Sequence, residues 1–274
     1  MAIKGKRKIF FLFLTIAAVV LLALFFIDKY RFNKRKILPP EDSFISSSIK
    51  FVGKRHPIRV LDTAEFTPQV DRDFVLTLWV KFNRAPEPRN DYVLVQKLVG
   101  EERRRTGFEF RLNRDRSGTR PIVSWHGAPA SSESEFQFSD FKFQPKTWNL
   151  FAIGIKEQRF LVMRGVSIRD DKSLDVQNLG AHDLGSSTDI KNLADLYVGA
   201  LGAGNFQGEL GPLMIFSGQK LIDNFDQLVA GIVQSPNTIP PLADNQQLDL
   251  RLIPSIQKVV DNTIKAEVSL ESAQ

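Results

Sequence analysis

Residues 74–82 read FVLTLWVKF, in which Phe74, Leu76, Leu78, Val80 and Phe82 alternate with Val75, Thr77, Trp79 and Lys81. Alternation with a period of two places successive side chains on opposite faces of a β-strand, and the β-branched and aromatic content suits that state. Further apolar runs of strand length follow at 92–99, 107–113, 121–126, 136–143, 148–156, 159–165, 174–179, 196–200 and 206–216. Turn-forming residues separate them, among them Pro86, Pro88, Gly118, Pro145 and the stretch Gly199 to Asn205. The spacing of many short strands predicts an all-β sandwich or jelly roll. Only residues 221–232 (LIDNFDQLVAGI) show helical spacing, with Leu221, Phe225, Leu228, Val229 and Ile232 near one face.

The order of these segments carries a resemblance. DFVLTLWVKF, YVLVQKLVG, GFEFRLNRD with PIVSWHG, TWNLFAIGIKEQRFLVMRGVS and LYVGALGAGNFQGELGPLMIFSG, followed by a short helix, resemble the laminin G-like branch of the concanavalin A-like lectin/glucanase superfamily. The elements of the likeness are Trp79 in the first strand, Trp148 opening a later one, Gly165 at the end of the next, and Phe206 to Leu210 leading into Leu213 to Phe216. The resemblance spans residues 45–235. It implies a two-sheet antiparallel jelly-roll sandwich that binds glycans or proteins, or in some branches cuts polysaccharides, and fold alone does not choose among these.

Upstream, residues 9–27 form nineteen uncharged residues, fifteen of them Leu, Ile, Phe or Val. As a helix this run is roughly 28 Å long, the thickness of a bilayer core. A cleaved signal peptide is the competing reading. An apolar core of that kind is about 7–15 residues followed by a small-x-small site, whereas here Ala23 is followed by Leu24, Phe25, Phe26 and Ile27. The segment is therefore read as an uncleaved anchor. Lys4, Lys6, Arg7 and Lys8 precede it, and Lys29, Arg31, Lys34, Arg35 and Lys36 follow it. Charge alone does not orient it. Retaining a short cationic tail inside while a long domain translocates favours the C-terminal bulk outside.

The domain boundaries follow: a basic cytoplasmic tail over 1–8, the anchor over 9–27, a spacer over 28–48, a jelly roll over 49–235 and an extension over 236–274. In the extension 247–253 (QLDLRLI) alternates like an edge strand, and 258–274 reads as a weak helix or disordered tail.

Nine of the 37 basic residues but one of the 31 acids lie in 1–36, leaving 28 bases and 30 acids beyond. The basic pI of 9.5 thus belongs to the anchor's flanks, and nucleic acid drops out as a partner. Those flanks suit anionic headgroups. The absence of cysteine excludes disulfides, thiolate metal sites, thiol nucleophiles and a lipoprotein anchor. No Asn-x-Ser/Thr sequon occurs. A bacterial cytoplasmic-membrane protein, single-pass, with its domain facing the periplasm or cell exterior, is the simplest source.

No catalytic signature emerges. The superfamily's hydrolases resemble Glu-x-Asp-x-x-Glu on one strand, which this chain lacks; its nearest acids, Glu133 and Glu135, sit in a Ser-rich stretch read as an exposed loop. His56, His126 and His182 lack partners at metal-ligand spacing. Calcium is the one metal the resemblance raises, with Asp170, Asp171, Asp183, Asp189 and Asp195 in turns, but these form no compact loop. Gly199 to Gly204 precedes a strand and lacks a P-loop Lys, so it is a turn. The triple arginine Arg103 to Arg105 reads as a solvated loop.

Strand 107–113 directs Phe108, Phe110 and Leu112 inward and Glu109, Arg111 and Asn113 outward. With Trp125 and His126 on the following strand, these five form the candidate ligand face, offering a stacking ring beside hydrogen-bonding groups. The ordinary alternative is a solvated sheet face with cross-strand charge pairs. The expectation is a membrane-anchored binding module for a polysaccharide or an envelope protein, with no cofactor required. A polysaccharide-active enzyme using Glu109, Glu133 and Glu135 is the first alternative, and a purely structural protein scaffold the second.

Overall fold

The computed structural model describes residues 45, 48–51, 58–60, 67–69, 71–83, 91–100, 105–114, 118–127, 132–169, 171–184, 190, 192–201, 208–237, 247–260 and 263–270, all within Pro39–Gln274. The expected tail and anchor, 1–27, and most of the spacer lie outside the described residues. Among the described residues no helix is long and apolar enough to cross a membrane.

In chain order the strands are β1 (Ile49–Phe51), β2 (Ile58–Val60), β3 (Asp73–Phe82), β4 (Asp91–Val99), β5 (Thr106–Arg114), β6 (Thr119–Gly127), β7 (Ser132–Gln137), β8 (Trp148–Lys156), β9 (Phe160–Ile168), β10 (Leu174–Asp183), β11 (Leu196–Leu201), β12 (Gly208–Gln219), β13 (Gln247–Val260) and β14 (Thr263–Leu270). Helix α1 (Phe225–Gln234) lies between β12 and β13.

The strands form two antiparallel five-strand layers facing each other, β10-β9-β8-β3-β12 and β11-β4-β5-β6-β7. Alternation explains the arrangement. Phe74, Leu76, Leu78, Val80 and Phe82 of β3 share one buried cluster with Phe108, Phe110 and Leu112 of β5 and with Phe151, Ile153 and Ile155 of β8. Edge-on aromatic contacts join the layers: Phe74 to Phe108 at 6.0 Å and Phe110 to Phe151 at 5.4 Å between ring centroids. Each edge of the sandwich has its own closure. On one side β13, β14 and β2 hydrogen-bond the layers into one continuous ladder between β12 and β11. On the other, between β10 and β7, the segment 138–143 bridges the gap.

That segment departs from the expected strand over 136–143. The strand instead ends at Gln137, and Glu133 and Glu135, expected in a loop, lie within it, paired along β6. Beyond it Phe138 and Phe141 turn into the core. Their backbone N–H groups donate to Pro121 and Thr119 of β6, while Ser139 N–H donates to the Leu179 carbonyl of β10. Gly165 makes this plug fit, since a Cβ there would stand 2.5 Å from the Phe141 ring. His182 adds a clasp: its Nε2 lies 3.0 Å from the Gln137 carbonyl oxygen, with the Phe138 ring 4.8 Å away edge-on.

The outer face of the β10-to-β12 layer is buried as well where α1 covers it. The helix buries Phe225, Leu228, Val229, Ile232 and Val233, and in the layer itself Val75, Trp79, Leu150, Met214 and Phe216 are buried on the side away from the interlayer core. Gly154 of β8 leaves the space, because a Cβ there would meet Ile222 at 2.6 Å and Phe225 at 3.0 Å. The helix starts four residues later than the apolar spacing suggests. Residues 221–224 form a turn held by the Asp73 carboxylate, which accepts the Ile222 N–H at 2.9 Å. Burial raises the Asp73 pKa above its ordinary 3.8, against the lowering effect of that hydrogen bond and of Lys156.

The C-terminal extension differs from expectation in one respect. The strand foreseen at 247–253 runs to Val260 and pairs with a further strand, β14, where a weak helix or disorder was expected. Ile264, Ala266, Val268 and Leu270 alternate there with Thr263, Lys265, Glu267 and Ser269, a period of two that a helix cannot use.

Candidate functional site

The outer face of β4, β5, β6 and β7 is built by register. Gln96, Glu109, Ser124 and Glu135 stand opposite one another across the four strands. One step along, Val93, Arg111, Ile122 and Gln137 form the next row, and Asp91, Asn113 and Arg120 the one after. Polar residues from four segments thereby meet over Arg111.

Arg111 organises this face. Its Nη1 donates to Glu109 Oε1 at 3.0 Å and to the Ser124 hydroxyl at 2.6 Å. Its Nη2 donates to Glu135 Oε1, and its Nε lies 3.7 Å from Asp91 Oδ2. Asn113 extends the network by donating to Asp91 Oδ1 at 2.6 Å. Burial opposes the Arg111 charge, but the hydrogen bonds and charges of Glu135 and Glu109 outweigh it and hold its pKa above that of an ordinary guanidinium. The cluster therefore sets three carboxylates around one fixed cation. Arg111 and Glu109 are sunk, with side chains 14% and 13% exposed, whereas Glu135 and Asp91 form a rim at 42% and 46%.

Of the five residues predicted for the ligand face, the structure brings Glu109, Arg111 and Asn113 together. Trp125 is not among them. It pairs with Phe108 and lies in the interlayer core at 3% exposure, so its ring faces away from the polar cluster. Adjacent strand residues point to opposite faces, so Trp125 and His126 do not share one. His126 stands on the outward side with Ser124, buried at 7% and opposite Gly107. Gly107 has φ +134°, and a Cβ there would stand 1.9 Å from the Lys97 carbonyl oxygen, so only glycine fits.

Sequence reasoning did not place Asp91 and Ser124 in the cluster. Ser124 carried a signal: once Val123 and Trp125 are inward, Ser124 must be outward. Asp91 carried none, since its place depends on the bulge between Val93 and Val95. Glu109 and Glu135, two of the three carboxylates of the alternative enzyme, do meet, but across the Arg111 guanidinium. The third, Glu133, stands in register with His126. Among the turn acids raised for calcium, the Asp171 carboxylate accepts from the Ser173 N–H at 3.0 Å and from its hydroxyl. Asp170 and Asp189 lie outside the described residues.

No family model matches the chain, and no curated protein matches it. Solved structures do. The botulinum neurotoxin serotype D binding domain aligns with TM-score 0.48 at 11% identity, over 70% of this chain and 44% of that one. The Ruminococcus gnavus IT-sialidase CBM40 bound to alpha2,6 sialyllactose aligns with TM-score 0.38 at 9% identity, over 61% of this chain and 91% of that one. Tailspike protein 2 of Escherichia coli O157:H7 bacteriophage CAB120 aligns with TM-score 0.43 at 12% identity, over 73% and 29%. The chain spans less than half the length of the botulinum binding-domain chains. At such identities the two-layer sandwich rests on this chain's own strand pairing and shared core.

Proposed function

We propose that this chain is a membrane-anchored, laminin G-like binding module of a bacterial envelope, held by residues 9–27 with its sandwich outside the cytoplasmic membrane, and that it engages a polysaccharide or an envelope protein through the Arg111 face. The observation that carries binding over hydrolysis is the engagement of Glu109 and Glu135 by one guanidinium. A glycosidase needs one carboxylic acid to donate a proton to the leaving oxygen and a second carboxylate free to attack or to activate water. Here both present an oxygen as acceptor to Arg111.

The same cluster suggests a ligand class. Rim carboxylates fixed by a salt bridge retain lone pairs for hydroxyl donors, and orienting them in advance reduces the ordering penalty of binding. Three acids around one base disfavour a sulfated, phosphorylated or uronate glycan through like-charge repulsion. A neutral or amino-substituted glycan suits the face better. Tethering by a spacer raises the local concentration of the domain against weak partners at the same surface.

The test is a screen of the full chain in detergent against a glycan array and bacterial polysaccharides, with and without calcium, comparing the wild type with Glu135→Gln and Arg111→Lys. Binding to neutral glycans that both substitutions weaken supports the reading. Turnover of a polysaccharide by the wild type, lost in Glu135→Gln, would establish the enzyme instead. A silent screen joined to a specific co-purifying envelope protein would favour the scaffold.

A further inference from the structure

The outer face of the other layer carries a second concavity. Along β9, Leu161 and Met163 point into the core, which directs Phe160, Val162 and Arg164 outward. The turn before α1 rises beside them, leaving a cleft of about 320 Å³. Phe160, a residue 42% exposed, flanks it. Val162 is buried beneath, and Asp223, Asp226 and Gln227 line the facing wall.

Two features set the chemistry of this cleft. One is charge balance. Arg164 Nε holds Asp226 Oδ1 at 2.7 Å and its Nη1 donates to Asn178 at 2.7 Å, while Lys156 Nζ holds Asp223 Oδ1 at 2.7 Å. Each acid on the wall thus has its own base, so the cleft carries no excess charge to attract an ion. The other feature is the pairing of an exposed aromatic face with planar donor and acceptor groups. A pyranose ring has the matching surface, because its axial C–H bonds make one side apolar while its hydroxyls radiate from the rim. The volume is at the low end of the ~300–1,000 Å³ typical of small-ligand sites, which suits a short saccharide unit rather than a long chain segment.

From this juxtaposition we infer that the cleft between β9 and α1 is a neutral-saccharide site, with Phe160 as the stacking platform and Arg164, Asp223, Asp226 and Gln227 as hydrogen-bonding partners of the hydroxyls. It is distinct from the Arg111 face and lies on the opposite outer surface of the sandwich. A module with sugar-binding groups on both surfaces can hold two glycan strands at once, and on polymers it gains avidity without new contacts.

The experiment is saturation-transfer NMR on the full chain in detergent, with cellobiose, maltose and N,N′-diacetylchitobiose as probes and a glucuronate-containing disaccharide as the charged comparison. At least one neutral probe should receive saturation, more strongly than the charged one. Phe160→Ala should weaken its Kd by about tenfold, the loss of one aromatic contact; Phe160→Trp should retain it, and Asp226→Ala should weaken it too. Because neutral sugars also suit the Arg111 face, the titrations are repeated in the Glu135→Gln background, which weakens that face; transfer that persists there and is lost on Phe160→Ala belongs to the cleft, which separates failure here from failure of the proposed function. Phe160 is half exposed, so an unchanged Tm verifies that the Ala variant is folded. In the Glu135→Gln background, absence of transfer from every neutral probe, or transfer that survives Phe160→Ala, would overturn the assignment.

Discussion

Replacing Arg111 by methionine keeps most of the side-chain volume and removes the cation that holds the β4-to-β7 outer face together. The magnitude can be worked from exposure. The pair with Glu109 is sunk, at 14% and 13% side-chain exposure, near the regime in which deleting one partner of a buried ion pair costs about 3–5 kcal/mol. Residual solvent contact lowers that to about 1–2 kcal/mol. Glu135 and Asp91, both more than a third exposed, each contribute at most about 1 kcal/mol. Ser124 is buried and accepts from Arg111 at 2.6 Å; leaving its hydroxyl without that donor costs about 1 kcal/mol.

The expected destabilisation is therefore about 2–5 kcal/mol. For a domain of this size that lowers Tm by roughly 4–20 °C, read by thermal unfolding followed through tryptophan fluorescence. Arg111→Lys should fall between wild type and Arg111→Met, because an ammonium keeps the charge but cannot fork to Glu109 and Glu135 together. Adding Glu109→Gln to Arg111→Met should recover about 1 kcal/mol by removing a stranded carboxylate. A Tm for Arg111→Met within about 1 °C of wild type, or a double variant losing the sum of both single effects, would refute the idea that this cluster is a coupled network.

Other outcomes follow from single features of the fold. Asp73 has a pKa raised above 3.8 by burial, so between 3.8 and the folded value the unfolded chain gives up its proton while the folded chain keeps it, and stability falls as pH rises through that window. Asp73→Asn, which retains an acceptor for the Ile222 N–H, should therefore raise Tm at neutral pH, with the gain vanishing below about pH 3.8; a constant difference across pH contradicts this. Gly107→Ala should cost roughly 3 kcal/mol or more, since a Cβ would stand 1.9 Å from the Lys97 carbonyl oxygen at φ +134°, and a urea midpoint near wild type would refute it. Glu157 and Gln158 both have positive φ, 48° and 54°, in the turn joining β8 to β9. Glu157→Gly should stabilise by about 0.5–1 kcal/mol, the relief of left-handed strain less the added flexibility of glycine, and an unchanged or lower Tm would count against strain there. Trp125→Ala should lower stability by about 3–5 kcal/mol, whereas a surface tryptophan would lose little.

Periodicity carried most of the sandwich. The strand at 148–156 has the bounds expected, β3, β4 and β11 differ from expectation by one residue at one end, and β5 by one residue at each end. In each of these an apolar row faces one core, so the pattern fixes both the strand and its register. Residues 136–143 mark where that logic stops. Four phenylalanines there, Phe136, Phe138, Phe141 and Phe143, pack on the core, yet the backbone leaves the ladder after Gln137 to plug an open side of the sandwich. Their apolar character reported burial and could not report that a missing Cβ at Gly165, on another strand, had made the space.

The two candidate surfaces differ in the same way. The Arg111 cluster uses neighbouring strands, Glu109 lying 2 and Glu135 24 residues from Arg111, so correct inside-outside assignment of β5 alone was enough to approach it. Pairing Trp125 with His126 on one face was the error, and the alternation already visible at Val123 would have prevented it. The cleft beside α1 joins Arg164 to Asp226, 62 residues away, and its wall is set by Asp73 capturing the Ile222 N–H across 149 residues. Strand alternation reports the face a residue occupies. Which distant turn rises over that face is decided by a buried carboxylate and by a glycine that lets the helix approach, and neither has a local signature.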